Sequence, residues 1–523
     1  MTLATAPTSK NSPPPGLIRP RGLIKLLGLS ERTPVTIAFI ALLAVVSVPV
    51  FSTVLPPLVD YPNHLARMHL LAEGGNQFYA VRWAPLPNLA EDLIVPALAH
   101  LMPLDLAGKI FLVITFGLIA GGTLWLNRVV SGGWRWWGLL GFLLLYDRIL
   151  LWGSLNYLFG LGVAICGVAL WLGLEERRAA RMLVGSAIAL ACFFSHIAAL
   201  GVYALAILGV ELSPALSLLR AGRYRDLTRR IAFAVAPFAL PAILFLFCQP
   251  AAEGGVVTFT QIWRKADLLF SIFDNYSRPF DVACFALFTA LLGALAWCRR
   301  LGIAPRLGWA LAIVFVAYML LPSQMASGSG VDRRLPVAIL LLLVGASAPR
   351  LPRRPAIAVS MAIFAVFIAR MAVIEGVWLK AGRLYAADIA AIDSLPEGAK
   401  LAVAYPDRET NAGGIPQLHV ATLAVARRDA FVPTIFAYAS QQPLALRPPY
   451  AALAGATSPS WIWDGFVAGD ETARAAALVA LRHYDFIVFA DRDPFAVRPS
   501  DCLTPLPSPP RFQLFKVRPE ATC

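Results

Sequence analysis

Residues 34–67 read PVTIAFIALLAVVSVPVFSTVLPPLVDYPNHLAR. The part from Pro34 to Leu55 is an apolar run long enough to cross a bilayer, which takes about 20 residues. Asp60, His64 and Arg67 follow directly after it. Because charged groups are expensive to bury in hydrocarbon, polar side chains at a membrane margin usually line an aqueous site. The stretch therefore predicts a membrane helix followed by a candidate functional loop.

Further apolar runs of similar length recur along the chain. Hydrophobic residues make up 58% of the 523 residues, and only 15% are charged. We therefore predict an all-α polytopic membrane protein with about eleven transmembrane helices. Their predicted spans are 34–55, 106–127, 136–152, 156–174, 182–195, 197–217, 231–248, 282–298, 307–322, 335–348 and 356–375. Residues 1–33 are polar, proline-rich and basic, which predicts a disordered cytosolic tail and not a cleaved signal peptide.

The distribution of charge predicts the orientation in the membrane. From residue 376 onward there are 14 basic and 14 acidic residues, so the net charge of +14 resides in residues 1–375. The tail and alternate short loops of that part carry 21 basic residues against four acidic ones. Cytosolic loops are enriched in Lys and Arg, so this pattern predicts a cytosolic N-terminus and argues against a nucleic-acid partner. The loop at residues 56–105 and the C-terminal region then face the opposite compartment.

Residues 376–523 have the composition of a small soluble domain. We predict an extracytoplasmic α/β domain with buried strands at 401–405 and 484–490, an alternating edge strand at 512–517 and an amphipathic helix at 471–482. Cys502 and Cys523 lie in this region, where they would form either a disulfide or two unpaired thiols. The other five cysteines lie in or beside apolar runs and are expected to be small core residues.

Asp60 is the leading candidate for a catalytic group. A carboxylate at the mouth of a membrane cavity can act as general base on a sugar hydroxyl. The alternative is a helix-capping role, since Asp is a preferred N-cap and Pro62 fits the first turn of an interfacial helix over 63–73. The two interpretations are compatible.

Other polar residues of the same loop are candidates for substrate binding. His64 and Arg67 lie three residues apart, so on a helix they would project the same way and could contact a phosphate or a sugar hydroxyl. They could equally form a solvated face at the level of the lipid headgroups. Glu91 and Asp92 could pair with Asp60 or ligate a divalent cation, although adjacent residues point differently and only one would face the site. We assign Asp92 to the predicted site and no residue to a metal.

Two later turns on the same side of the membrane carry further candidates. His196 follows Ser195 between two apolar helices, where it is either a hydrogen-bonded interhelical residue or a substrate ligand. Arg333 and Arg334 lie on the side that is poor in positive charge and therefore require a partner. A guanidinium suits phosphate oxygens, so these arginines could bind a lipid-linked phosphate, or else pair locally with Asp332.

These features together resemble the polytopic bacterial glycosyltransferases of the GT-C superfamily. The resemblance is carried by Asp60 in the segment PPLVDYPNH after the first membrane helix, the segment GSLNY at 153–157, Ser195-His196, the late arginines and the C-terminal domain. It implies a sugar donor carried on polyprenyl phosphate and chemistry on the extracytoplasmic face of the bacterial inner membrane. It also maps a base or ligand role to Asp60 and donor-phosphate binding to Arg333 or Arg334.

We therefore predict a membrane glycosyltransferase, most simply an inverting one. The predicted partners are a polyprenyl-phosphate sugar donor, an extracytoplasmic acceptor glycan, lipid or protein, and membrane lipids. A divalent cation is the one cofactor that the acidic residues leave open. One alternative is a transporter or flippase of lipid-linked glycans, which would use the same arginines and aromatic residues without a base. The other is a non-catalytic membrane scaffold whose outer domain binds a partner.

Overall fold

A computed structural model describes residues 32–247, 257–325, 328–407, 415–439 and 441–518 of the chain. Most of the predicted tail at 1–33 lies outside these residues. Helices dominate up to Asp393, and they are, in chain order, α1 Arg32–Ser52, α2 Tyr61–Glu73, α3 Ala90–Ala99, α4 Leu104–Ser131, α5 Arg148–Trp152, α6 Leu155–Gly173, α7 Arg178–Ser195, α8 Ile197–Arg220, α9 Tyr224–Val235, α10 Ala239–Phe247, α11 Arg264–Phe270, α12 Arg278–Trp297, α13 Pro305–Leu320, α14 Leu335–Ala346 and α15 Arg353–Asp393.

The protein is a multi-pass membrane protein. Within the described residues, eight helical segments have the length and hydropathy to cross a membrane: α1, α4, α6, α7, α8, the continuous segment Tyr224–Phe247, α12 and α15. Helix α13 is apolar but shorter, and α14 has 12 residues and is almost entirely buried. The predicted number of about eleven is therefore not confirmed among the described residues, where short apolar helices such as α14 are buried in protein.

The predicted helix at 136–152 is not continuous. Residues Trp136–Leu144 form a 3-10 helix, and α5 begins only at Arg148. The carboxylate of Asp147 accepts the Leu150 N–H at 2.8 Å and so caps a new helix in the middle of the apolar run. Gly138 lies so close to α4 that a Cβ there would come within 2.9 Å of the Leu124 Cα. The segment is thus packed against α4 and interrupted by a cap.

Helix α15 extends well beyond its predicted end. It has 41 residues and continues without a break from Arg353 to Asp393, past the domain boundary that we predicted at residue 376. The boundary was placed where the apolar pattern ends, but a helix does not need to end where its surroundings change from lipid to water.

The C-terminal part contains a four-stranded sheet and short helices. The strands are β6 Leu401–Ala404, β8 Phe486–Ala490, β9 Leu503–Pro505 and β10 Phe512–Val517, in the order β6-β8-β10-β9, with β6 and β8 parallel and the other pairs antiparallel. The helices are α16 Leu423–Arg428, α17 Pro448–Gly455, α18 Pro459–Trp463 and α19 Glu471–Leu481. The prediction of an edge strand at 512–517 was wrong, because β10 pairs on both sides.

Short strands in the loops make the remaining pairs. They are β1 Tyr79–Val81 with β7 Leu444–Leu446, β2 Leu301–Ile303 with β5 Ser347–Pro349, and β3 Gln324–Met325 with β4 Gly328–Ser329. The β1–β7 pair is antiparallel and joins the loop after α1 to the C-terminal part. The Tyr79 hydroxyl adds two bonds to the Val432 backbone, at 2.9 and 2.8 Å. The C-terminal part is therefore fixed directly above the segment that contains Asp60.

The cysteines differ in burial and in bonding state. Cys166, Cys192, Cys284 and Cys298 are free thiols. Cys192 and Cys284 are buried as expected, whereas the expectation of a core position was wrong for Cys298, which is exposed at the end of α12. Cys248 lies outside the described residues. Cys502 is disulfide-bonded, whereas its predicted partner Cys523 lies outside the described residues. The pairing of these two cysteines stays a prediction.

Candidate functional site

Asp60 lies at the first residue before α2, between the end of α1 and the loop after α5. Its backbone N–H donates to the Trp152 carbonyl at 3.1 Å, and the Val59 N–H donates to Leu151 at 2.9 Å. Gly153 has a φ of +90°, and a Cβ there would come within 2.9 Å of the Asp60 Cβ. Only glycine fits this close approach without strain. The two loops are thus held tightly together at Asp60.

The Asp60 side chain is available for chemistry. It makes no capping hydrogen bond to α2, although the residue occupies the N-cap position. Its side chain is 31% exposed, unlike most of the residues around it. The structure therefore does not support the capping role for the carboxylate, and Pro62 instead begins the helix in its first turn.

The surroundings of Asp60 shift its protonation toward neutral pH. Burial of the carboxylate raises its pKa to about 6, against the opposing influence of His64, Arg67 and Arg334. The positive groups lower the pKa by stabilising the charged form, but the loss of hydration outweighs them. A base with a pKa near the working pH is well suited to accept a proton from a hydroxyl.

His64, Arg67, Glu91 and Asp92 form one buried network behind Asp60. The Arg67 Nε donates to Asp92 Oδ1 at 2.6 Å, and both side chains are fully buried. The His64 Nδ1 lies 2.8 Å from Glu91 Oε2 and 3.1 Å from Arg67 Nη2, so it donates to the carboxylate or accepts from the guanidinium according to its tautomer. Burial raises the pKa of Asp92. The network ties α2 to α3.

This network changes what the predicted residues can do. Arg67 and Asp92 are committed to each other and have no exposed side-chain surface, so neither can reach a substrate in this conformation. His64 has 10% of its side chain exposed, and of the four residues in the network it lies nearest to Asp60 in the sequence. Glu91 is held by His64 and by Asn156, whose amide oxygen accepts the Glu91 backbone N–H at 2.7 Å.

Arg334 faces Asp60 from the turn before α14. Its Nη1 donates to the carbonyls of Ser329 and Gly330 at 2.7 and 2.9 Å, while its buried Nε has no hydrogen-bond partner. Burial lowers the pKa of Arg334, and the negative charge of Asp60 opposes that change. The guanidinium is thus oriented by backbone carbonyls, with donor capacity left over for an anion.

Arg333 and Arg334 do not pair with Asp332. The Asp332 carboxylate is fully buried and pairs with Lys265 at 3.3 Å, and Lys265 also donates to the Tyr318 carbonyl at 2.7 Å. The Arg333 guanidinium stacks over the Trp152 ring at 5.0 Å. Among the described residues neither arginine makes an ion pair, so the local alternative that we considered from sequence does not account for them.

His196 is a structural neighbour of this site. Its Nδ1 accepts the Ala198 N–H at 3.0 Å and so caps α8. Its ring meets Tyr157 edge-on at 5.7 Å, and the Tyr157 hydroxyl donates to the Arg334 carbonyl at 2.6 Å. His196 thus supports the turn that carries Arg334 through one intervening residue.

Sequence reasoning missed the contribution of the C-terminal part. His419 lies 3.5 Å from the Asp60 carboxylate through its Nε2. Asn63 bonds to the same segment, with its side-chain oxygen accepting the Phe436 N–H at 2.8 Å and its amide donating to the Thr434 carbonyl at 2.9 Å. More than 350 residues separate the partners in the chain, and no motif marks His419.

The carboxylates of the described residues are not grouped as metal ligands. No group of three or more His, Cys, Asp or Glu side chains in the described parts of the chain is arranged to hold a metal ion. Asp92 and Glu91 are instead engaged by Arg67 and His64. A divalent cation therefore finds no support in the described residues.

Comparison with solved structures shows which fold this is. No protein-family model and no curated protein sequence matches the chain. The crystal structure of ArnT from Cupriavidus metallidurans in the apo state matches with a TM-score of 0.53 at 14% identity, over 94% of this chain and 99% of that one. The structure of the same protein bound to undecaprenyl phosphate gives a TM-score of 0.55 at 12% identity, with the same coverage.

A mycobacterial structure extends the comparison. The cryo-EM structure of arabinofuranosyltransferase AftD from Mycobacteria matches with a TM-score of 0.51 at 15% identity, over 94% of this chain and 40% of that one. At these identities the likeness concerns the fold alone. The chain thus shares the fold of ArnT and of the matching part of AftD, and the fold expected from its sequence is confirmed at that level.

Proposed function

We propose that this protein is a membrane glycosyltransferase that moves a sugar from a polyprenyl-phosphate carrier to an acceptor outside the cytosol. The observation that carries the proposal is that a partly exposed carboxylate, Asp60, whose pKa is raised to about 6, lies within electrostatic influence of Arg334, which makes no ion pair among the described residues. The fold supports it, because one matching structure, that of ArnT, is bound to undecaprenyl phosphate.

The reaction that fits these groups is a single displacement. The acceptor hydroxyl oxygen attacks the anomeric carbon, the bond from that carbon to the carrier phosphate oxygen breaks, and Asp60 takes the hydroxyl proton. The carrier phosphate leaves with the bonding electron pair. Attack opposite to the leaving group inverts the configuration of the sugar. Asp60 thus acts as general base, which typically accelerates a reaction by about 10²–10⁴-fold.

The arginines are proposed to hold the departing phosphate. Charge builds up on the phosphate oxygens as the bond breaks, and oriented donors in a site of low polarity stabilise such charge strongly. The carbonyls of Ser329 and Gly330 fix the direction of the Arg334 guanidinium. Arg333, held against Trp152, is the second donor to the same anion.

The buried network is proposed to support the base instead of binding substrate. Arg67 and Asp92 fix the position of α2, and His64 presents a polar edge beside Asp60. We propose the same orientation as the charge pattern predicts, with the N-terminus in the cytosol and Asp60, Arg334 and the C-terminal part on the outer side of a bacterial inner membrane.

The proposal is tested by replacing the base and the phosphate ligand separately. In a strain that needs the gene for a surface glycan, Asp60→Asn should lower glycan transfer by about 100-fold or more. Asp105→Asn, which changes an exposed carboxylate in the first turn of α4, is the matched control and should retain transfer. Undiminished transfer by Asp60→Asn, with the protein present in the membrane at normal levels, would remove Asp60 as base.

Binding of the carrier is measured on the purified protein with undecaprenyl phosphate as the probe. Arg334→Gln should weaken binding by about tenfold or more, since a hydrogen bond to a charged group contributes about 1.5–3 kcal/mol. Arg278→Gln, with a side chain that is 71% exposed, is the control. Asp60→Asn should bind the carrier normally although it loses transfer, which separates a base from a residue that binds the carrier. Equal binding by both arginine variants would contradict the role of Arg334.

A further inference from the structure

Residues 415–439 of the C-terminal part lie against the Asp60 loop. His419 approaches Asp60 Oδ1 to 3.5 Å with its Nε2. The Phe436 ring packs edge-on against His419 at 4.9 Å and against His64 at 6.1 Å. A residue from a part of the chain outside the membrane helices therefore reaches the carboxylate that we propose as base.

The hydrogen bonds of Asn63 determine which nitrogen of His419 carries the proton. The Asn63 side-chain oxygen accepts the Phe436 N–H at 2.8 Å, so its NH₂ group must face the opposite way. That group donates to the Thr434 carbonyl at 2.9 Å and lies 3.4 Å from the His419 Nδ1. Because an NH₂ group can only donate, Nδ1 is the acceptor and the proton of neutral His419 resides on Nε2. The protonated nitrogen is the one that lies 3.5 Å from Asp60 Oδ1.

His419 remains neutral in this position. Its side chain is buried, and burial together with the nearby His64 lowers its pKa to about 3. A neutral imidazole donor stabilises the charged form of a carboxylate without adding a charge of its own. The separation of 3.5 Å is long for a hydrogen bond, as is common for catalytic contacts before substrate binds.

The contact is held in place by a continuous interface. The β1–β7 pair and the two bonds between Tyr79 and Val432 fix the C-terminal part to the loop. On the far side of α2, His69 meets Asp429 at 3.2 Å. These anchors lie C-terminal to His419, and on its other side the Tyr385 hydroxyl donates to the Pro416 carbonyl at 2.7 Å. Contacts on both sides of His419 therefore hold it beside Asp60.

We infer that His419 is a positioning residue for Asp60, with its Nε2 proton, fixed by Asn63, directed at the carboxylate so that the C-terminal part completes the active site. That this site is catalytic rests on the proposed function, whereas the contact between His419 and Asp60 does not depend on it. Other titratable or charged groups face Asp60 from α2, α3 and the turn before α14: His64, Arg67, Glu91 and Arg334.

Removal of the donor should shift the titration of Asp60. His419→Phe retains the shape of the ring but has no N–H, so the pKa of Asp60 should rise by about one unit, the size expected for the loss of one hydrogen bond to a charged group. His419→Gln retains an amide N–H at a similar reach and should restore most of the shift. His419→Asn retains a partner for Asn63 but falls short of Asp60, so it should behave like His419→Phe.

The measurement is a pH titration of the purified full-length protein in lipid nanodiscs by difference infrared spectroscopy. The carboxyl stretch of Asp60 is assigned by its absence in Asp60→Asn. A higher titration midpoint in His419→Phe and His419→Asn, with recovery in His419→Gln, supports the inference. The acidic limb of the transfer rate should move by the same amount in the same variants.

Two outcomes overturn the inference. One is an unchanged Asp60 midpoint in all three variants, and the other is an equal shift in all three, which would indicate a structural disturbance. Either result leaves the proposed function intact as long as Asp60→Asn loses transfer. If instead Asp60→Asn transfers normally, the proposed function fails, whereas the infrared shift still reports whether His419 contacts Asp60.

Discussion

At the scale of the residue, Asp60 combines partial burial with a charge that its surroundings only partly compensate. Its carboxylate has lost enough hydration to raise its pKa to about 6, although three positive or polar side chains oppose the change. Strained or poorly solvated groups of this kind persist where function requires them, because stability alone would favour a neutral side chain. The position of Asp60 therefore predicts a measurable conflict between stability and activity.

Asp60→Asn should make the protein more stable at neutral pH. The folded-state pKa of Asp60 is raised above its usual value of 3.8, so the folded protein binds this proton more tightly than the unfolded chain does. The destabilisation by the charged carboxylate is fully present above about pH 6 and disappears below the unfolded pKa. Thermal unfolding of the parent protein and of Asp60→Asn in detergent, at pH 8 and at pH 4, measures this destabilisation.

The expected result is a higher melting temperature for Asp60→Asn at pH 8 and equal melting temperatures at pH 4. Asp105→Asn is again the control, since Asp105 is exposed and should show no such dependence on pH. A variant that is less stable than the parent at pH 8 would show that the carboxylate stabilises the fold after all.

At the scale of the helix, the end of the bundle opposite Asp60 is held by a cluster around Glu211 of α8. The Glu211 carboxylate lies 2.8 Å from Arg181, 2.6 Å from Arg230 and 3.4 Å from Arg306, and it accepts the Trp171 indole N–H at 2.9 Å. These partners come from α6, α7, α9 and α13. Several of the basic residues that signal the cytosolic side thus also join the helices.

Replacing Glu211 by Gln should destabilise the bundle strongly. Glu211 is only 6% exposed, and its loss would leave three arginines close together without their shared carboxylate. Breaking a buried ion pair on one side costs about 3–5 kcal/mol. Asp226→Asn removes the exposed i,i+3 pair with Arg223 and should change stability by less than about 1 kcal/mol.

Melting temperatures of the two variants in the same detergent provide the comparison. We expect a clear drop for Glu211→Gln and almost none for Asp226→Asn. Similar melting temperatures for both variants and the parent would show that the cluster is a surface feature without a role in holding the helices together.

At the scale of the whole molecule, the arrangement in the membrane can be tested by cysteine labelling. Ala221, in the exposed turn between α8 and α9, should face the cytosol, and Ala475, exposed on α19, should face the other side. Each is replaced by cysteine in a chain whose exposed Cys298 is changed to serine. A membrane-impermeant maleimide on intact spheroplasts should label Ala475→Cys and leave Ala221→Cys unlabelled.

Inverted membrane vesicles should give the opposite pattern. Labelling of Ala221→Cys from the outside of intact spheroplasts would place Asp60 and Arg334 in the cytosol. That result would contradict the proposed use of a sugar donor on the outer side, because it would turn the whole site to the other compartment.

The sequence by itself determined the class of the protein and the position of Asp60. Apolar runs long enough to cross a bilayer can be read directly from the sequence. A carboxylate just after such a run is a candidate site residue, whatever the rest of the chain packs against it. The strands at 401–404 and 486–490 and the helix at 471–481 were likewise visible, since each is specified by its own local pattern of apolar residues.

Only the tertiary structure determined which side chains these residues contact. Arg67 pairs with Asp92, and His419 contacts Asp60 although more than 350 residues separate them in the chain. Because Asp332 pairs with Lys265, Arg333 and Arg334 make no ion pair among the described residues. The tertiary structure also placed β10 inside the sheet instead of at its edge. Local sequence specifies the period and polarity of an element, but the partner of a side chain depends on which elements pack together, and that is a property of the folded chain as a whole.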